Sequence, residues 1–266
     1  MGEAIVITSG KGGVGKTTTV ANIGSALALL GKKVCVIDAD IGLRNLDIVL
    51  GLENRIVFDI VDVVNKQCRL KQALIKDKRF DNLVLLPAAQ TKDKDAVNPE
   101  QMKAIVDELK QSYDYILVDC PAGIEQGFRN AVAGADQAIV VVTPEMSAVR
   151  DADRIIGMIE AAELPEPRLL VNRIRYQMVK KGEMLTVEDI EEILAIDLIG
   201  IVPDDEEIVM STNRGEPATM KENSLCGRAF RNVARRILGE EVEFIDLKET
   251  QNKGFGAFWK NLWSRG

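Results

Sequence analysis

Short, nearly unbroken apolar runs alternate with amphipathic stretches along this chain of 266 residues. The runs EAIVITS (3–9), KKVCVID (32–38), NLVLLPA (82–88), DYILVDC (114–120), QAIVVVT (137–143), RLLVN (168–172) and DLIGIV (197–202) have the length of strands and little polar alternation. A strand that is apolar on both faces must be covered on both faces, which is the habit of parallel sheets. Between these runs, residues near 16–30, 99–111, 125–134, 147–162, 186–195 and 223–238 carry apolar side chains at helical spacing. The alternation predicts an α/β fold, a doubly wound, mostly parallel sheet with helices on both faces. Residues 1–238 read as one body, without repeat or low-complexity linker. Residues 239–253 read as a polar connector, and 254–266 as a C-terminal amphipathic helix.

That last segment has its own pattern. Phe255, Phe258, Trp259, Leu262 and Trp263 fall at i, i+3, i+4, i+7 and i+8, one stripe of a helix, and Lys253, Lys260 and Arg265 lie off it. Ten residues are too few to span a bilayer, which needs ~20. Tryptophan and phenylalanine flanked by cations suit a helix lying in a membrane surface, with anionic lipid favoured. Such short helices are marginal in water, so one tail should bind weakly and two tails on a dimer far better.

Composition narrows the chemistry. Apolar residues make up 46% and charged residues 28%, as in an ordinary globular protein. No run of eighteen apolar residues occurs, and residues 1–9 lack the basic start of a secretory signal. A net charge of −7 argues against broad nucleic-acid binding. The chain has no histidine, which removes Ser-His catalysis, histidine bases and histidine-ligated zinc. Cys35, Cys68, Cys120 and Cys226 form no CxxC and read as reduced thiols.

The strongest chemical signal follows the first strand. Gly10, Lys11, Gly12, Gly13, Val14, Gly15, Lys16 and Thr17 match G-x-x-x-x-G-K-[ST] between a strand and a helix. Glycines let backbone N–H groups curl around phosphate oxygens, and the helix N-terminus adds positive potential. Lys16 is placed to reach the β and γ phosphates, Thr17 to ligate Mg²⁺, and Thr18 to line the nucleotide site. YILVD ends in Asp119, as a metal-supporting carboxylate at a strand end requires, and VCVID ends in Asp38, two residues before Asp40. Those acids can stand behind the metal or hold the attacking water. No [NT]-K-x-D guanine signature is present, because Asn65-Lys66-Gln67-Cys68 and Thr91-Lys92-Asp93-Lys94 both fail at the fourth position. Asn172 ends the strand LLVN with an amide that can donate and accept, as adenine requires, so ATP is favoured.

Lys11 is a second cation inside the loop, redundant beside Lys16 unless a further polyanion is present. GKGGVGKT resembles the deviant Walker A motif of the ParA/MinD family of ATPases. DADIGLRNLD (38–47), DCPAGIE (119–125), TPEMSAVRDADRI (143–155) and NRGEP (213–217) match further, and with the tail the resemblance covers essentially the whole chain. Cys120 departs from the serine common in relatives. The resemblance implies an Mg²⁺-dependent ATPase that dimerises with ATP, with Lys11 acting on the partner's phosphates. It implies that Asp40 positions the hydrolytic water and that Thr17, Asp38 and Asp119 support Mg²⁺. It also implies that the helix carrying Asp151 and Asp153, and the segment carrying Arg44 and Asp47, face a division inhibitor of the MinC type and a regulator of the MinE type. The expected place is the inner face of the cell membrane. A ParA-type partitioning ATPase and a flagellar-number regulator remain the alternatives within that family.

Overall fold

The computed structural model describes residues 1–250. Eight strands among them form one sheet: β1 (Glu3–Thr8), β2 (Val34–Asp38), β3 (Ile75–Lys76), β4 (Leu83–Leu86), β5 (Tyr115–Asp119), β6 (Gln137–Val142), β7 (Arg168–Ile174) and β8 (Leu198–Pro203). Their spatial order is β3-β4-β2-β5-β1-β6-β7-β8, parallel throughout except for the short edge strand β3 against β4. The helices are α1 (Lys16–Leu29), α2 (Leu46–Leu50), α3 (Ile60–Val64), α4 (Leu70–Ala73), α5 (Pro99–Leu109), α6 (Gln126–Val132), α7 (Met146–Ala161), α8 (Tyr176–Lys180), α9 (Val187–Leu194), α10 (Glu206–Asn213) and α11 (Leu225–Ile237).

All seven strand expectations hold, and alternate residues serve opposite layers. Ala4 and Val6 of β1 join one apolar layer with α5, α6, α7 and α9, while Ile5 and Ile7 join the other with α1 and α11. That double burial is why the strands lack polar alternation. Side-chain caps start α5, α9 and α11. Asn98 accepts from the Gln101 amide with Pro99 at the first turn of α5, Thr186 accepts from Asp189 at α9, and Ser224 accepts from Gly227 at α11. Helix α1 is buried nearly all round, and a Cβ on its Gly24 would lie 2.7 Å from Val36 Cγ1, so the helix sits tight on the sheet.

The short helices α2, α3, α4, α8 and α10, and the two-residue β3, are absent from the sequence expectations. All but α10 have two to five residues, too few to display a period. The connector also differs from expectation over its described part. Ile245 is buried and Leu247 packs against both layers. Arg236 donates to the Val242 carbonyl and lies 4.0 Å from the centre of the Phe244 ring. Residues 239–250 thus run back along α11 instead of leaving the body as a polar spacer. Phe255, Phe258, Trp259, Leu262 and Trp263 lie outside the described residues.

Candidate functional site

In a doubly wound sheet, ligands sit beyond the carboxyl ends of the central strands, where the chain direction over the sheet reverses. Here β1 occupies the centre between β5 and β6, and the loop 9–15 follows it. Registers bring the strand-end acids together, with Asp38 directly opposite Asp119 on adjacent strands.

The loop has two unlike limbs. The inner limb is buried and stitched down. The Val14 carbonyl accepts from Asn172 Nδ2 at 2.7 Å. Gly15 has φ +100°, and a Cβ there would lie 2.4 Å from the same nitrogen, so only glycine fits. Lys16 opens α1 and is 8% exposed, with Nζ donating to Ser9 Oγ at 2.9 Å. Ser9 Oγ in turn donates to the Lys11 carbonyl at 2.8 Å, so its hydroxyl ties the lysine to the loop backbone. Ser9 went unnoticed in the sequence, because a serine before the first loop glycine carries no spacing signal.

The outer limb, Lys11–Gly13, is exposed. Lys11 Nζ lies 3.5 Å from Glu145 Oε2 and 3.4 Å from Ser147 Oγ, at the start of α7, with both charged side chains about half exposed. Exposed contacts of this length contribute little, so the ammonium is available to a better anion. Gly10 is needed for packing, since a Cβ there would lie 2.2 Å from the Asp151 backbone carbonyl.

The carboxylates carry the electrostatic stress. Burial first, and then the Asp38 charge, push the Asp119 carboxyl well above its ordinary range, against the Thr17 hydroxyl and the Lys16 ammonium, which lower it. Asp38 is raised to about 6, chiefly by burial, although three backbone N–H groups oppose the shift. Those are Asp40 to Oδ1 at 3.0 Å and Asn45 and Leu46 to Oδ2 at 3.1 Å each, so Asp38 anchors both the turn carrying Asp40 and the start of α2. Asp119 Oδ1 is buried without a hydrogen-bond partner among the described residues. An orphaned buried carboxylate oxygen beside a threonine hydroxyl fits a hard cation. No group of three acidic, cysteine or histidine side chains suited to a metal occurs among the described residues. Mg²⁺ suits such a sparse site because it keeps waters and takes phosphate oxygens.

Asn172 is buried with both ends of its amide engaged, Nδ2 on Val14 and Oδ1 accepting from Arg173 N at 3.0 Å. The expectation of an amide free to read the base is corrected to this extent: its first role is to hold the inner limb. It still lines a cavity of about 220 Å³ with Gly15, Thr18, Pro203, Ile208 and Phe230, a size and place suited to the base. Cys120, next to Asp119, is buried and its thiol is pushed up to about 12 by burial, so it stays protonated and inert.

The four partner-facing expectations divide. Asp153 is exposed on α7, between exposed Arg150 and Arg154, and Asp151 is half-buried against Gly10. Asp47 is corrected: its side chain is only 1% exposed, turned inward to an ion pair with Arg44 Nε at 2.8 Å. Arg44, just before α2, is itself only 16% exposed, so the pair is largely shielded from water. The outward residues of that segment are Leu43, Asn45 and Ile48. Asp40 is half-buried at the site.

Known proteins agree with this geometry. Residues 2–169 match the family described as an AAA domain. The septum site-determining protein MinD of Bacillus subtilis is 61% identical over 264 residues, covering 98% of each chain. A MinC:MinD cell division protein complex from Aquifex aeolicus superposes with TM-score 0.86 at 54% identity, over 92% of this chain and 98% of that one. MinD from Pyrococcus horikoshii, solved with Mg-ADP, gives TM-score 0.80 at 31% identity over 89% and 96%. With such identity over nearly its full length, on a loop and strand-end acids of the kind its motifs specify, the chain belongs to the family of septum site-determining MinD proteins.

Proposed function

We propose that this protein is an ATP-hydrolysing switch that dimerises with ATP, holds to the inner face of the cell membrane and helps position the division septum by recruiting a MinC-type inhibitor. The single observation that carries the reading is the opposed placement of the two loop lysines, Lys16 buried within the protomer and Lys11 exposed on its rim. On this reading, the loop amides and Lys16 bind the β and γ phosphates, and Lys16 exchanges its Ser9 hydroxyl for phosphate oxygen. Thr17 and Asp119 hold the metal side, with Asp38 behind them fixing the turn that carries Asp40. Mg²⁺ would neutralise charge developing between the phosphates. Asp40 orients the water, and Lys11 leaves Glu145 for the partner's phosphates. A second anionic phosphate group offers Lys11 a stronger charge-assisted contact than an exposed carboxylate 3.5 Å away.

We assign residues 1–238 to the ATPase body, 239–253 to a connector that lies against α11 over its described part, and 254–266 to the membrane tail. Pairing two tails raises lipid avidity roughly 10²–10⁴-fold, which makes membrane residence the output of dimerisation. The sequence similarity to MinD proteins and the solved MinC:MinD complex support the division role over the partitioning and flagellar alternatives. A MinE-type regulator, if present, would act on the α7 face around Asp153.

Co-sedimentation of the full chain with anionic liposomes tests the reading. Pelleting is expected with Mg-ATP and not with Mg-ADP or without nucleotide, and Trp263→Glu should abolish it while leaving ATP binding intact. Equal pelleting in all three nucleotide conditions would overturn the ATP-gated reading.

A further inference from the structure

Arg79 lies outside the nucleotide site, yet it joins two segments that border it. It follows β3, two residues after Asp77, whose side chain is fully buried. Asp77 fixes the arginine from three sides, accepting from its backbone N at 2.7 Å, its Nε at 3.0 Å and its Nη2 at 2.7 Å. A guanidinium held this way is a rigid fork, and its remaining donors are aimed before anything binds. Nη2 donates to the Leu50 carbonyl at 2.7 Å, and Nη1 donates to the Gly215 carbonyl at 2.6 Å.

Those two carbonyls lie at the ends of two helices that pack on each other, Leu50 closing α2 and Gly215 standing two residues past α10. Leu50 is the last residue of α2, whose first amides, with that of Asn45, are held by Asp38 on the phosphate side. Gly215 follows α10, whose Ile208 lines the base cavity. The helix ends touch through glycine. Gly51 and Gly215 have φ of +64° and +63°, and a Cβ on Gly215 would lie 2.5 Å from Gly51 Cα. The contact is backbone on backbone, and one guanidinium closes it. The NRGEP stretch (213–217) thus has a structural use that the nucleotide chemistry alone does not explain.

We propose that Arg79 is a positioning residue for hydrolysis: it pins the end of α2 to the element walling the base cavity and so fixes the Asp38–Leu46 segment, which carries Asp40, relative to bound nucleotide. The proposal rests on the ATPase reading. It predicts a specific division of effects. Binding of diphosphate depends on the loop amides and Lys16, which Arg79 does not touch. Turnover depends on the placement of Asp40, and sub-ångström misplacement of such a group lowers rate more than affinity.

Two variants carry the test. Arg79→Lys keeps a cation beside Asp77 but loses the fork. Asp77→Asn/Arg79→Gln removes the buried pair together and leaves no lone buried carboxylate. Each is measured in the full chain for thermal melting, for Mg-ADP affinity, for kcat and KM with ATP on anionic vesicles, and for amide hydrogen exchange at Asn45 and Leu46. In a folded variant, Kd for Mg-ADP and KM should stay within about threefold while kcat falls about tenfold or more. Exchange at Asn45 and Leu46 should accelerate by about tenfold, since loosening α2 frees both amides from Asp38. Unchanged kcat, or parallel loss of ADP affinity and kcat, would overturn the proposal. If the parent hydrolysed no ATP, the ATPase reading would fall instead, and unchanged exchange at the two amides would then still refute the positioning role.

Discussion

The two limbs of the phosphate loop share a glycine-rich sequence and differ in almost everything else. The inner limb, Val14–Lys16, is buried and bonded to Asn172 and Ser9, and a left-handed glycine leaves no space for a side chain. The outer limb, Lys11–Gly13, is exposed, and among the described residues its lysine meets Glu145 and Ser147 at long range. A loop that merely bound one nucleotide would need only the first. The contrast teaches that one cation is built to meet a ligand inside the protomer and the other to meet something beyond it. The segment 38–50 repeats the theme: Asp38 and Asp47 are turned inward and Leu43 and Ile48 outward.

The contrast breaks most easily at Asp47. If it is a buried partner of Arg44 and not a docking residue, Asp47→Ala should lower unfolding free energy by about 3 kcal/mol, as breaking buried pairs does. Urea unfolding measures this, and a stability within error of the parent would return Asp47 to the surface role that its sequence position suggested.

The loop glycines come next. Gly15→Ala introduces strain in a left-handed residue and a clash with Asn172, worth ~1–3 kcal/mol, and should weaken Mg-ADP binding along with stability. Gly13 also has positive φ (+79°), but open space surrounds its Cβ position. Gly13→Ala should cost only about 1 kcal/mol of strain and leave ADP affinity nearly unchanged. Calorimetric titration and melting of the two variants side by side decide it. Equal effects would erase the distinction between the limbs.

The smallest effect is on pH dependence. Asp38 and Asp119 have raised pKa values in the metal-free protein, so their protonated forms contribute stability that is present below the unfolded pKa and lost as pH rises through about 6 for Asp38. Asp81, Asp189 and Glu207 are lowered and act in the opposite sense, but only below the ordinary carboxylate range and so outside the window of this test. Between pH 5 and 7.5, Tm of the metal-free parent should fall relative to that of Asp119→Asn, and Mg-ADP affinity should rise over the same window as metal displaces protons. A parent and an Asp119→Asn variant with parallel Tm profiles would mean that the strand-end acids are not under this stress.

Much of this was legible in the sequence. Uninterrupted apolar strands announce a sheet covered on both sides, and the loop motif with its flanking strand and helix fixes the phosphate site. What could not be read is contact made by fold alone. Arg79 and Gly215 stand 136 positions apart and meet through one carbonyl, with no pattern in either neighbourhood. Asn172 has the residue type that suits a base, but its amide is spent on the Val14 carbonyl, a partner 158 positions away. Asp47 resembled a surface acid because a five-residue helix is too short for its buried face to show as a period.

The central claim, that the outer limb serves a second protomer, is tested most directly by multi-angle light scattering of the parent and Lys11→Ala with Mg-ATP and with Mg-ADP. The parent, 29.3 kDa by sequence, should double in mass with Mg-ATP alone. Lys11→Ala should bind Mg-ADP as the parent does, since Lys16 and the loop amides are intact, and should stay at the mass of one chain with either nucleotide. A Lys11→Ala dimer in Mg-ATP of the same mass and concentration dependence as the parent's would contradict the account.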